Sequence, residues 1–186
     1  MTDVMIDEMK LRDKYAHRFH TRDVDRDGYV SGEDFAERTR RVARAMGESA
    51  HSPRSEAAVA GTLATWAQTA RLAGAEPDAS LSREQFIDAY ARAYAEGKVA
   101  EMVRPSIEGH VALVDQDGDG MVDEEEFVRG QEAVGMDKET AREAFKRLDT
   151  DGNGRLTVDE WTRAVVSYYT TTAPDAPGDL VLGWRG

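Results

Sequence analysis

The chain of 186 residues contains no cysteine. It can therefore form neither disulfide bonds nor thiolate metal sites, and a reducing cytoplasm is the compartment to expect. The longest uncharged run, residues 57–70, is too short and too rich in alanine and threonine to span a membrane. The first ten residues lack the basic-then-apolar order of a signal peptide, and Thr2 stands where N-myristoylation requires glycine. We expect a cytoplasmic location without membrane insertion.

Basic residues are scarce relative to acidic ones. The chain carries 24 lysines and arginines against 36 aspartates and glutamates, a formal charge of −12. This acidity argues against nucleic acids and anionic membrane surfaces as partners. The length allows a sizeable core, arranged as one domain or as two tightly packed lobes.

Many of the acids belong to a twelve-residue pattern that occurs at 115–126 and again at 149–160. Each copy has oxygen-bearing side chains at positions 1, 3, 5 and 9, glycine at 6 and glutamate at 12. This is the ligand spacing of an EF-hand calcium loop, in which position 7 contributes its backbone carbonyl and glycine permits a sharp turn. The predicted ligands are Asp115, Asp117, Asp119, Met121 and Glu126 in the first copy, and Asp149, Asp151, Asn153, Arg155 and Glu160 in the second.

A simpler interpretation is that these stretches are only turns, because aspartate, asparagine and glycine are common turn residues. Turn chemistry does not explain a glutamate at position 12 and an apolar residue at position 8 in both copies. Nor does it explain the aromatic residue, Phe127 or Trp161, that follows each glutamate. We therefore interpret both copies as calcium sites.

Another loop of this kind, the first in chain order, occupies residues 23–34. Its position 12 is Asp34, one methylene shorter than glutamate. Bidentate reach then requires the loop to contract, and an octahedral ion such as Mg²⁺ competes better. We expect an occupied site with altered affinity, where Mg²⁺ competition is strongest. Its predicted ligands are Asp23, Asp25, Asp27, Tyr29 (through its carbonyl) and Asp34.

A fourth loop, at 74–85, has lost the ligand pattern, with Gly74 at position 1, Ala79 at position 6 and Gln85 at position 12. It keeps the apolar residue at position 8, Leu81. Paired EF-hands join through a short antiparallel strand contact at that position. We therefore predict that this loop is a structural partner that binds no calcium.

The resulting fold is all-α, with two compact EF-hand lobes of two helix-loop-helix units each. Val30 is predicted to face Leu81, and Val122 to face Leu156, in the two loop-loop contacts. The predicted organisation is a first pair at 1–97, a second pair at 98–173, and an apolar tail at 174–186 that packs back on the lobes.

Three further expectations concern the helices. Apolar spacing predicts one buried stripe of Val59, Leu63, Trp66 and Ala70 and another of Phe86, Ile87, Tyr90 and Tyr94. Pro105 fits a first helical turn but not a helix interior, so the helix that enters the third hand should start near Arg104. The arginine run at 38–44 is interpreted as the solvated side of its helix.

Four hands with a degenerate second one, the aspartate that closes the first loop and the Asp-Ala-Pro-Gly of 175–178 resemble the sarcoplasmic calcium-binding protein family, in particular its bacterial calerythrin-like branch. The resemblance covers nearly the whole chain. It implies a compact cytosolic calcium buffer with Ca²⁺/Mg²⁺ sites. Coelenterazine photoproteins share the architecture, but this chain lacks the proline with which they end.

The favoured function is a monomeric Ca²⁺ and Mg²⁺ buffer or transporter with three sites. The alternative is a sensor, whose calcium-loaded form exposes an apolar groove, often methionine-rich, to a protein partner. Three of the seven methionines, Met1, Met5 and Met9, lie at the N-terminus instead. No zinc-helix motif or cysteine nucleophile is present, so we do not expect an enzyme.

Overall fold

The structure is a computed structural model that describes the backbone of residues 2–185 and the side chains of residues 7–185. Met1, Gly186 and the side chain of Met5, on which some of the expectations fall, lie outside the described residues. The elements follow in the order α1 (Thr2–Arg22), β1 (Tyr29–Val30), α2 (Gly32–Ala45), α3 (Pro53–Leu72), β2 (Leu81–Ser82), α4 (Arg83–Ala95), α5 (Val99–Val114), β3 (Val122–Asp123), α6 (Glu124–Glu132), α7 (Lys138–Leu148), β4 (Arg155–Leu156), α8 (Val158–Thr170) and α9 (Pro177–Val181). The predicted all-α class is confirmed.

In each of the four loops, one pair of residues closes the loop and also caps the helix that follows it. Position 9 is the N-cap of the helix and position 12 is its third residue. The two side chains bond reciprocally to each other's backbone N–H, a capping box. The pairs are Ser31 with Asp34, Ser82 with Gln85, Asp123 with Glu126, and Thr157 with Glu160. The closing residue of each loop is therefore also fixed by helix capping.

The two predicted loop-loop contacts are present. Val30 lies opposite Leu81, and Val122 lies opposite Leu156, in two separate antiparallel pairs. All four side chains are fully buried. The degenerate loop therefore supplies β2, which the first calcium-type loop needs as its partner.

The start predicted for α5 is wrong. The helix begins at Val99 and continues through Pro105 to Val114. Packing against α3 accommodates the proline, because the N–H of Ser106 donates to Thr65 Oγ1 at 3.1 Å. The carbonyl of Pro105 faces Gly61. A Cβ atom at residue 61 would lie 2.3 Å from the carbonyl oxygen, so the close approach requires glycine.

The close approach of α3 and α5 also explains why a residue of the first predicted buried stripe is exposed. Where the helices cross, small residues line the contact, including Ala58 and Gly109. The buried face of α3 therefore runs along alanine and threonine, and Leu63 is 38 % exposed. Tyr94 at the end of α4 is 45 % exposed, so the prediction was wrong for these two residues. Trp66 and Tyr90 are buried as expected.

Aromatic residues and the chain's end join the two halves. The Tyr90 ring of α4 stacks on Tyr169 of α8 with the ring centroids 4.7 Å apart. The Tyr15 hydroxyl of α1 donates to the Tyr169 carbonyl at 2.8 Å. α9 packs against α8, and the edge of the Trp184 ring meets His17 of α1. Among the helices described, none combines the length and the apolar character needed to cross a lipid bilayer.

Candidate metal centres

Among the described residues, acidic oxygens gather in three places, each inside one of the predicted loops. Within each group the oxygens lie within 4.8 Å of one another. Carboxylates this close repel unless a cation lies between them, and a hard divalent ion prefers oxygen ligands. The groups are Asp23, Asp25 and Asp27; Asp115, Asp117 and Glu126; and Asp149, Asp151 and Glu160.

The three loops share one backbone scaffold. In each, the N–H of the glycine at position 6 donates to the carboxylate at position 1. The distances are 3.2 Å for Gly28 to Asp23, 2.9 Å for Gly120 to Asp115, and 2.9 Å for Gly154 to Asp149. These glycines have φ between +79° and +88°, which only glycine adopts cheaply. The scaffold therefore orients the carboxylate at position 1 by a backbone hydrogen bond.

The carboxylate at position 12 spans each loop. Glu126 accepts from the N–H of Gln116 at 2.7 Å and from that of Asp123 at 3.0 Å. Glu160 accepts in the same way from the residues at positions 2 and 9 of its loop. Burial opposes ionisation of Glu160, but hydrogen bonds from Thr157 and Thr150 outweigh it and lower the pKa of its carboxyl. Glu160 is therefore kept as an anion.

Asp34 makes the equivalent contacts with its shorter side chain. It accepts from the N–H of Val24 at 3.0 Å and from that of Ser31 at 2.9 Å. Yet the carboxylate group of this loop contains Asp23, Asp25 and Asp27 without Asp34. Asp34 is therefore held by the two backbone donors and lies outside the cluster formed by the other three carboxylates. Asp23 Oδ1 is buried without a hydrogen-bond partner, which fits an oxygen reserved for an ion.

Asp119, a predicted ligand, is not part of the second carboxylate group. Its carboxylate instead forms an ion pair with the guanidinium of Arg155 in the neighbouring loop. The β3–β4 pairing, in which Asp123 lies opposite Arg155, brings the two loops together. Arg155 was predicted to contribute only its backbone carbonyl, and its side-chain contact with Asp119 was not predicted.

The degenerate loop at 74–85, all of whose residues the structure describes, keeps the closing contact of the other loops but has no carboxylate cluster inside it. Gln85 Oε1 accepts from the N–H of Ser82 at 3.0 Å, a neutral version of the closing contact. Inside the loop, the N–H of Ala79 donates to the Glu76 carbonyl at 3.0 Å, and Trp66 Nε1 holds the Pro77 carbonyl at 2.7 Å. Backbone and indole contacts thus replace the carboxylates of the other loops.

Two arginines outside the loops were not anticipated. Arg54 of α3 donates to the Asp115 carbonyl at 2.8 Å, so the first half of the chain contacts the start of the 115–126 loop. Nothing in the sequence signals this contact. The prediction that the arginines of 38–44 lie on the solvated side of their helix is wrong for Arg38, which lines a cavity between the halves. Arg40 and Arg44 do lie on the outside, paired with Glu33 and Glu37.

Known proteins share this arrangement. Family models described as EF hand and EF-hand domain match residues 112–130 and 140–168. Calerythrin from Saccharopolyspora erythraea is 31 % identical over 160 residues, which cover 84 % of this chain and 90 % of calerythrin. The chain belongs to the calerythrin family. Calcium binding through EF-hands follows for this calerythrin-like protein.

Solved structures agree with that assignment. A calcium-binding protein of Streptomyces coelicolor is 31 % identical, with a TM-score of 0.75 over 88 % of this chain and 99 % of that one. The coelenterazine-binding protein of Renilla muelleri is 24 % identical, with a TM-score of 0.71 over 96 % and 97 % of the two chains. The second likeness concerns the fold alone.

Proposed function

We propose that this calerythrin-like chain is a cytoplasmic calcium buffer with three EF-hand sites, at 23–34, 115–126 and 149–160. The observation that carries the proposal is the scaffold common to these loops, with a carboxylate at position 1 bonded to the glycine N–H at position 6. The ligands are those named from the sequence, with Asp119 recruited away from Arg155 when an ion binds. The chain acts as a monomer without catalytic activity. The boundaries near residues 97 and 173 separate its two EF-hand pairs and its tail.

Mg²⁺ competition is strongest at the first loop. Asp34 bridges Val24 and Ser31, and its side chain is too short to bring both oxygens to the ion from there. Mg²⁺ accepts about six ligands at short distances, whereas Ca²⁺ uses the additional oxygen of a bidentate carboxylate. Coordination by a single oxygen of Asp34 therefore weakens the binding of Ca²⁺ more than the binding of Mg²⁺.

The surface favours a buffer over a sensor. Among the described side chains, the exposed large apolar residues are Met9, Tyr29, Leu63 and Tyr94, which lie on four different elements. Single exposed apolar residues are ordinary, whereas a partner site needs a contiguous patch. The tail also occupies apolar surface, since Val181 is buried against α8.

A sensor is the second candidate. One observation favours it: the related Streptomyces coelicolor structure is described as the basis for calcium-mediated regulation. A sensor would open an apolar groove between helices when calcium binds, for a protein partner.

Fluorescence of a hydrophobic dye distinguishes the two functions. We expect the dye signal of the chelator-stripped, folded protein to stay the same or fall as calcium is added. A strong calcium-dependent rise, reversed by chelator, would show that the ion exposes apolar surface and would establish the sensor instead. Magnesium alone serves as the control for a change caused by ion binding in general.

A further inference from the structure

A cavity of about 90 Å³ lies between the two halves, and its cationic wall comes from the first half. Arg18 and Arg22 of α1 and Arg38 of α2 line it. Arg18 and Arg22 are only 6 % and 8 % exposed. These arginines belong to no calcium loop, and the proposed buffer function does not use them.

The positive charge of this wall is not compensated within the protein. Among the described residues, no carboxylate lines the cavity or forms an ion pair with any of the three guanidinium groups. Arg18 Nε donates to the Tyr169 hydroxyl at 3.0 Å, a neutral partner. Arg22 lies over the Phe35 ring, and its Nε is buried without any partner. Burial, with repulsion from Arg18 and Arg22, holds the pKa of Arg38 well below its usual range.

Buried charges without counter-charges destabilise a fold strongly, so such groups normally have a partner. The guanidinium fork matches the two oxygens of a carboxylate or a phosphate. An anion placed between Arg22 and Arg38 would therefore relieve their repulsion and satisfy the unpartnered Nε of Arg22.

The second half lines the cavity with a mixed surface, in which polar side chains such as His110 and Gln131 lie beside aliphatic ones. Val103 and Ile107 of α5 and Val165 of α8 contribute aliphatic side chains. An inorganic ion would leave this surface without contact. The volume of 90 Å³ is also smaller than a cavity of about 150 Å³ that holds benzene, so the organic part of a ligand must be small.

We propose that this cavity binds a short-chain organic carboxylate, whose anionic group contacts the arginines and whose few carbons contact the aliphatic side chains of the second half. The ligand bridges the two halves of the chain, because its two ends meet different halves. This site is separate from the calcium loops, and the proposal does not depend on the buffer function.

Calorimetric titration of the calcium-loaded full-length protein with sodium butyrate tests the proposal. The buffer contains no carboxylate or phosphate, and sodium chloride keeps the ionic strength constant. We expect saturable binding of one butyrate per chain, and no binding of butyramide, which has a similar size and no charge. Absence of butyrate heat at millimolar concentrations would overturn the proposal. So would binding of inorganic phosphate without binding of butyrate.

Two arginine variants locate the site. Arg38→Met removes a cavity charge at similar volume, and should weaken butyrate binding at least tenfold. Its melting temperature without butyrate should rise, because repulsion within the cavity falls. Arg41→Met is the matched control from the same helix, with its side chain 51 % exposed, and should bind butyrate as the wild type does. Equal losses in both variants would mean general charge attraction and would refute the cavity site. Both variants should keep their calcium stoichiometry.

Discussion

Lys14 Nζ lies 2.7 Å from Asp179 Oδ1, and both residues are buried. The pair joins the first helix, α1, to the last one, α9, across 165 positions of sequence. The Lys14 ammonium also donates to the Thr171 carbonyl at 3.0 Å, so the contact fixes the segment between α8 and α9 as well. The tail is therefore held by a charged contact in addition to its apolar residues.

Asp179→Ala should destabilise the calcium-loaded protein by about 3–5 kcal/mol, because it leaves the Lys14 ammonium buried without its partner. Urea unfolding measures the change. Asp88→Ala is the control: it removes an exposed partner of Arg12 and should cost less than about 1 kcal/mol. Similar losses in both variants would show that the buried pair does not anchor the tail.

Exchanging the closing residues tests the account of Mg²⁺ competition. Asp34→Glu should let both carboxylate oxygens reach the ion, and should tighten Ca²⁺ binding at the first loop at least tenfold in millimolar Mg²⁺. Glu126→Asp should have the opposite effect at 115–126. Calcium titrations with and without Mg²⁺ measure both. Unchanged calcium affinity of Asp34→Glu in Mg²⁺ would mean that side-chain length does not set the selectivity.

The Arg155–Asp119 ion pair should compete with calcium. Arg155→Met keeps the backbone carbonyl of Arg155 and frees Asp119 to bind the ion in the preceding loop. Because a half-exposed ion pair contributes about 0.5–1 kcal/mol, calcium binding at 115–126 should tighten about twofold to fivefold. Arg142→Met, which removes the partner of exposed Glu124, is the control. Weaker binding in Arg155→Met would show that the arginine supports the site.

His110 makes stability depend on pH. Its ring packs against Trp161, and burial, with the positive charges of Arg38 and Arg22, lowers its pKa from 6.5 to about 4. The folded state therefore binds the proton less readily than the unfolded state. The contribution of neutral His110 to the free energy of unfolding is complete above pH 6.5 and is lost as the pH falls towards 4.

Replacement by leucine isolates this effect. Between pH 6.5 and 4 the wild type should lose up to about 3 kcal/mol more stability than His110→Leu. Denaturant unfolding at a series of pH values measures the difference. Parallel pH profiles for the two proteins would mean that His110 is protonated as easily in the folded state as in the unfolded state.

The calcium-type loops and their pairing could be predicted because their signals are local. Twelve consecutive residues contain the candidate ligands, the glycine turn and the helix cap, so the capping roles of Asp34 and Glu126 follow from their positions alone. The Val30–Leu81 contact followed from the same positions, although the loop that contains Leu81 has lost its ligands.

The features that the sequence did not reveal depend on distant partners. Pro105 is tolerated inside α5 because Thr65 and Gly61 of α3 accommodate it. Arg38 belongs to a charged run and nevertheless faces the cavity, since the second half covers that side of α2. Arg155 pairs with an acid of another loop. The spacing of residues along the sequence describes one helix or one loop at a time, whereas each of these contacts joins two different elements.

Calorimetric titration of chelator-stripped protein with Ca²⁺, with and without millimolar Mg²⁺, counts the calcium sites and measures how strongly Mg²⁺ competes for them. We expect three ions per chain with dissociation constants near roughly 10⁻⁸ M, the range of cytosolic buffers, and weakening of calcium binding by Mg²⁺ mainly at the 23–34 site. Glu126→Gln should remove or greatly weaken a single site. Two ions per chain would contradict the assignment of 23–34, and three sites near roughly 10⁻⁶ M that ignore Mg²⁺ would contradict the buffer.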